Sequence, residues 1–151
     1  MPKDKEVLIV SGARTPFAAW AGGQTGTGRK GGALKPLDPF DLGAAALKGA
    51  LGRAALGPDA LDFIVFGNTY HVGPHACYGG RYVGHRAGVP DRVPGTAVNL
   101  ACGAGLLAVV TGAERIASGR SRTVGVAGAD NSSSVPRNVN PRRTMTAPVG
   151  A

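Results

Sequence analysis

Aromatic residues make up only 5% of the 151-residue chain, and there is a single Trp. A core of bulky rings is therefore excluded. Small side chains must do the packing, which suits closely layered helices and sheets. With only two cysteines, a disulfide framework is excluded. A reducing cytoplasm is the expected setting. No apolar run is long enough to cross a membrane. The start, Met-Pro-Lys-Asp-Lys-Glu, lacks the apolar run of a signal peptide. Acidic residues are scarce, 9 against 17 Lys and Arg, for a formal charge of +8. That excess invites a nucleic-acid reading, but its distribution speaks against one. It is spread along the chain without interleaved aromatics and clusters only near Arg137, Arg142 and Arg143. Attraction for anionic small molecules or an acidic partner fits it as well. The cluster reads as a solvated face, with contact to anionic phosphates as the functional reading.

What the chain does have is glycine, 25 residues, and a 43% hydrophobic fraction. This is enough for one domain, or for part of a larger one. Glu6–Ser11 is a β-branched apolar run and reads as a buried strand, ended by Pro16. A basic, glycine-rich loop follows from Ala21 to Lys35. Its Gly26-Thr27-Gly28-Arg29-Lys30-Gly31 matches a dinucleotide pattern, and Gly23–Gly28 nearly spells a P-loop. Neither is supported. No helix opens at the glycines, and Arg29 stands where the P-loop needs Lys.

Asp38-Pro39 starts a helix, with Asp as N-cap and Pro at the first position. Leu47, Ala50, Leu51 and Ala54 give it an apolar stripe, and Gly57-Pro58 ends it. Asp62–Phe66 is a second strand. Gly79-Gly80 argue against a strong helix, although Arg81–Ala87 suits one. Pro94–Leu100 is a third strand. Between Gly103 and Ser118, Leu106, Val109, Val110, Ala113, Ile116 and Ala117 trace one helical face, capped by Gly119. Arg122–Ala127 is a fourth strand. The order predicts βαβ units and a parallel sheet. Residues 1–130 are expected to form the domain. Residues 131–151 read as a polar, basic loop or the start of a truncated loop domain.

One stretch carries chemistry: Asn99-Leu100-Ala101-Cys102-Gly103-Ala104-Gly105. It places Cys102 where a strand hands over to a helix, with only small residues after it. Unpaired N–H groups and the helix dipole favour negative charge there, and a thiolate is the nucleophilic form of cysteine. Cys102 is thus the candidate nucleophile for an acyl group. Its own N–H is a candidate oxyanion donor, with Gly103 beside it in the turn. Asn99 either satisfies backbone groups near the turn or shapes the pocket. His71, His75 and His85 read as loop or surface residues, and Cys77 as structural. His71, His75 and Cys77 match no common zinc spacing, so no metal is expected. Arg14 and Arg81 read as ion-pairing or capping residues.

Four segments, taken in order, resemble the N-terminal half of the thiolase family. These are Val10-Ser11-Gly12-Ala13-Arg14-Thr15-Pro16-Phe17, Phe66-Gly67-Asn68, Arg81 with Arg86-Ala87-Gly88-Val89-Pro90, and Val98-Asn99-Leu100-Ala101-Cys102-Gly103-Ala104-Gly105-Leu106. The family's usual Ser before the second turn glycine is Ala104 here. Its Gly-Gly-Met-Glu-like stretch is Gly128-Ala129-Asp130-Asn131.

The resemblance implies an α/β fold: a thiolase-like half with a mixed, mostly parallel sheet and helices on both faces. It implies acyl transfer between coenzyme A thioesters through an acyl-enzyme on Cys102. Coenzyme A thioesters would be substrates, with no bound cofactor. A thiolase is well over twice as long and built of two similar halves. The second supplies a Gly-His-Pro histidine and a further Cys, neither of which this chain contains. A homo-oligomer or a complementary C-terminal-half subunit is therefore expected, with an apolar face where the halves meet. No nucleic-acid or membrane partner is expected. The alternatives are a non-catalytic thiolase-like module for binding or scaffolding and, last, a basic nucleic-acid-binding domain.

Overall fold

The computed structural model describes residues 6–17, 33–71 and 75–132. The basic loop motifs between Gly22 and Gly32, the Arg137–Arg143 cluster and nearly all of the 131–151 segment lie outside them.

Helix α1 spans Pro39–Arg53 and starts as its sequence demands. Asp38 accepts from the Asp41 N–H at 2.8 Å, and Asp41 accepts from the Asp38 N–H at 3.3 Å. This is a reciprocal capping box, with Pro39 supplying a fixed φ where no donor is needed. Strand β1, Phe63–Gly67, is buried along its whole length. Helix α2 covers Gly79–Ala87, strand β2 Gly95–Val98, helix α3 Ala104–Ala117 and strand β3 Val124–Gly128. The strands form a wholly parallel sheet in the order β2-β1-β3.

Alternation along β1 divides the core, because successive side chains face opposite ways. Ile64 and Phe66 pack with Phe40, Leu47, Leu51 and Val83 from α1 and α2. Phe63 and Val65 pack with Ala108 of α3. Helices thus cover both faces of the sheet.

Three expectations are corrected. Gly79 and Gly80 open α2 instead of weakening it. A methyl at Gly80 would lie 2.2 Å from the Thr96 carbonyl oxygen, so glycine is what lets the helix rest on β2. Second, α3 turns its small residues inward. Ala104, Ala108 and Gly112 are buried, whereas Leu106, Val109 and Val110 are exposed. A methyl at Gly112 would meet Val126 at 2.9 Å, so only a small-residue face allows this close approach to the sheet. The predicted apolar face is real but points away from the described core.

Third, Glu6–Ser11 is not a buried strand. It makes no ladder among the described residues, and Leu8, Ile9 and Val10 are 67%, 83% and 71% exposed. The segment is tied to α1 by Ser11 Oγ, which donates to the Ala50 carbonyl at 2.9 Å. A channel of about 250 Å³, lined by Val7–Ser11, α1, α3 and β3, separates it from the sheet edge. The segment has none of the ladder hydrogen bonds a strand needs among the described residues.

Candidate active site

Parallel α/β sheets present ligands at the carboxyl ends of their strands. Here those ends are Gly67, Val98 and Gly128, and the start of α3 lies against two of them. A methyl at Gly67 would stand 2.3 Å from the Ala104 carbonyl oxygen, and one at Gly128 would stand 3.3 Å from the Gly105 Cα. Glycine at both strand ends therefore lets the helix N-terminus reach the sheet.

Cys102 sits between β2 and α3, two residues before the helix, and is exposed. The turn is tight. The Gly103 N–H donates to the Leu100 carbonyl at 2.8 Å, and the Ala104 N–H donates to the Ala101 carbonyl at 3.0 Å. The Gly103 N–H is thus engaged in the turn. No side chain caps α3. Among the described residues, the N–H groups of Cys102, Gly105 and Leu106 have no partner. They are the free donors that a helix start leaves, at and just after Cys102 in the chain.

Ala101 has a left-handed backbone, with φ of 45°. For a residue with a Cβ this is strained and persists only when its surroundings over-determine it. They do so here. Asn99 Oδ1 accepts from the Ala101 N–H at 2.8 Å, and Thr69 Oγ1 donates to the Ala101 carbonyl at 2.9 Å. Asn99 Nδ2 also donates to the Thr69 carbonyl at 2.9 Å. Asn99 thus joins the backbone of the turn to that of the loop after β1.

The other candidates have partners of their own or are exposed. His75 stacks on Tyr82 with ring centroids 4.3 Å apart. His85 lies 3.8 Å from Asp91, and His71 is exposed. No group of three possible metal ligands occurs among the described residues. Cys77 is exposed on a short turn, Ala76–Tyr78, so its expected structural role has no packing to support it. Arg81 pairs with Asp91. Arg14 lies over the Phe17 ring at 4.3 Å. A cavity of about 490 Å³ opens between residues 11–17 and the end of β3. Cys102 lines neither it nor the channel beside residues 7–11. Its side chain is exposed to solvent.

Residues 7–150 match the model of the thiolase N-terminal domain. The chain belongs to the thiolase family. It is 34% identical over 130 residues to the mitochondrial 3-ketoacyl-CoA thiolase of Bos taurus, covering 86% of this chain and 30% of that protein. The fold matches a Bacillus anthracis acetyl-CoA acetyltransferase with TM-score 0.74 at 26% identity, over 89% of this chain and 32% of that one. It also matches the human mitochondrial 3-ketoacyl-CoA thiolase in complex with CoA, with TM-score 0.65 at 31% identity, over 74% and 26% of the respective chains. The chain thus spans about three tenths of the length of the curated relative. No helix among the described residues is long and apolar enough to cross a membrane.

Proposed function

We propose that this chain is the nucleophile-bearing half of a thiolase-type acyltransferase, with Cys102 as the acyl carrier. The observation that carries the reading is an exposed cysteine in a fixed, strained turn two residues before α3, whose first N–H groups are not taken up by a side-chain cap. A relative crystallised with CoA supports coenzyme A thioesters as the substrate class.

In the degradative direction, the Cys102 thiolate attacks the ketone carbon of a 3-ketoacyl thioester. The resulting alkoxide is held by the Cys102 N–H, and a second donor comes from a complementary half. Loss of one such donor typically costs about a hundredfold or more in rate. The carbon–carbon bond then breaks. Its electrons go to the departing acetyl-CoA carbon, which takes a proton from an acid on the complementary half. The acyl group stays on Sγ until the thiol of free coenzyme A removes it. The covalent intermediate divides one hard step into two easier ones.

Among the described residues, His75 stacks on Tyr82 and His85 lies near Asp91, and neither is hydrogen-bonded to Cys102. We assign the base to the complementary half that completes the thiolase fold. Cys77 and Cys102 are both free thiols, which suits a reducing compartment, and the cytoplasm is our assignment.

The test is intact-mass analysis after incubation with acetoacetyl-CoA in the presence of a thiolase C-terminal half. An acetyl adduct that is lost in Cys102→Ala supports the enzyme. No adduct under those conditions supports a non-catalytic module.

A further inference from the structure

Asp130 lies just beyond β3, and three consecutive residues of the loop after β1 converge on its carboxylate. Asn68 Nδ2 donates to Oδ1 at 2.8 Å, the Thr69 N–H to Oδ1 at 3.0 Å and Oδ2 at 3.2 Å, and the Tyr70 N–H to Oδ1 at 3.1 Å. Asn68 is 2% exposed, and its amide also donates to the Ala129 carbonyl at 2.7 Å. A single carboxylate therefore fixes the loop after β1. Hydrogen bonds from neutral donors to an ionised acceptor are stronger than neutral pairs, and no basic side chain competes for this one among the described residues.

The loop fixes the nucleophile turn in its own right. Thr69 holds the Ala101 carbonyl through its hydroxyl, and its own carbonyl anchors Asn99, which holds the Ala101 N–H. Both peptide groups flanking the Ala101 Cα are thus secured, and the φ of 45° that turns Cys102 toward α3 follows. Without such restraint Ala101 would relax to a negative φ.

We propose that Asp130 is a positioning residue for Cys102, acting through Thr69 and Asn99 to hold Ala101 in its left-handed conformation. The structural part of this stands on the hydrogen bonds alone. Its consequence for acyl transfer rests on the function proposed above.

Two readouts separate the two. The first is amide hydrogen exchange of the peptide spanning residues 99–106, with α1 as internal control for folding. Asp130→Asn keeps the size but replaces an acceptor oxygen with a donor. It should raise exchange in that peptide at least several-fold while leaving α1 unchanged. Thr69→Val, which removes only the hydroxyl, should do the same if Asp130→Asn proves unstable. Asp130→Glu keeps the carboxylate and should stay near the parent. The second is the rate of acetyl-adduct formation with the C-terminal half present. It should fall at least tenfold in Asp130→Asn and recover in Asp130→Glu. Unchanged exchange in both Asp130→Asn and Thr69→Val overturns the positioning role. Raised exchange with no adduct in the parent protein overturns the acyltransferase reading and leaves the positioning role standing.

Discussion

At the scale of single residues, the site depends on where a side chain is missing. Gly67 and Gly105 show the contrast. A methyl at Gly67 would sit 2.3 Å from the Ala104 carbonyl oxygen and 2.7 Å from its carbon, both backbone atoms that cannot swing aside. Gly67→Ala should therefore cost about 1–3 kcal/mol, the range for overpacking a tight contact. It should also shift the start of α3. A urea midpoint equal to the parent's would refute this. At Gly105 nothing lies within 4 Å of the added methyl. Gly105→Ala should leave the midpoint unchanged or slightly raised, because alanine suits a helix better than glycine. A destabilised Gly105→Ala would mean that the helix start is packed more closely than the distances say.

Among elements, α1 is anchored at its start by an ion pair to α2. Arg86 of α2 reaches both cap residues, Asp38 at 2.5 Å and Asp41 at 2.7 Å, and its guanidinium lies 4.6 Å from the Tyr82 ring. Partial burial works to raise the pKa of Asp38. The hydrogen bond from Arg86 opposes it, joined by the Asp41 N–H and the positive charge, and together they hold it below its ordinary 3.8. A carboxylate with a lowered folded pKa contributes stability above its unfolded pKa and loses it as pH falls through the folded one. Stability should therefore start to drop as pH falls below about 3.8 and go on dropping to the lowered value. Asp38→Asn should flatten this acid limb while still capping the helix. Asp38→Ala should cost about 1 kcal/mol at neutral pH, as loss of a cap does. A thermal-melt series across pH checks both, and an acid limb unchanged in Asp38→Asn would contradict the assignment.

How much of this was legible in the sequence follows from the range of the interactions. The cap of α1 is local, so Asp38-Pro39 announced it. The strand-to-helix junction at Cys102 is also local, and so it was readable. The start of α2 was not, because Gly79 and Gly80 serve contacts to Phe66 and Thr96 that no local pattern encodes. Asp130 showed only as a departure from a motif, since its donors lie 60–62 residues away. The stripe on α3 was found, but its direction was not. Periodicity identifies an apolar face without saying what covers it.

For the whole molecule, that uncovered face is the main feature. Leu106 is 71% exposed on α3, and Leu8, Ile9 and Val10 are exposed beside the channel next to β3. Monomers rarely leave such apolar surface open. The chain alone should self-associate, and Ile9→Lys with Leu106→Glu should reduce this without loss of helix signal. A C-terminal half should suppress it too. Sedimentation velocity would show this, and a monomeric parent chain would contradict it.

The central claim is that one sulfur, held at the head of α3, carries the acyl group. Two exposed cysteines make the direct test internal to the chain. After brief exposure of the chain, paired with a thiolase C-terminal half, to acetyl-CoA, peptide mass spectrometry should find acetyl on Cys102 and none on Cys77. Equal labelling of both cysteines, or of Cys77 alone, would contradict the account.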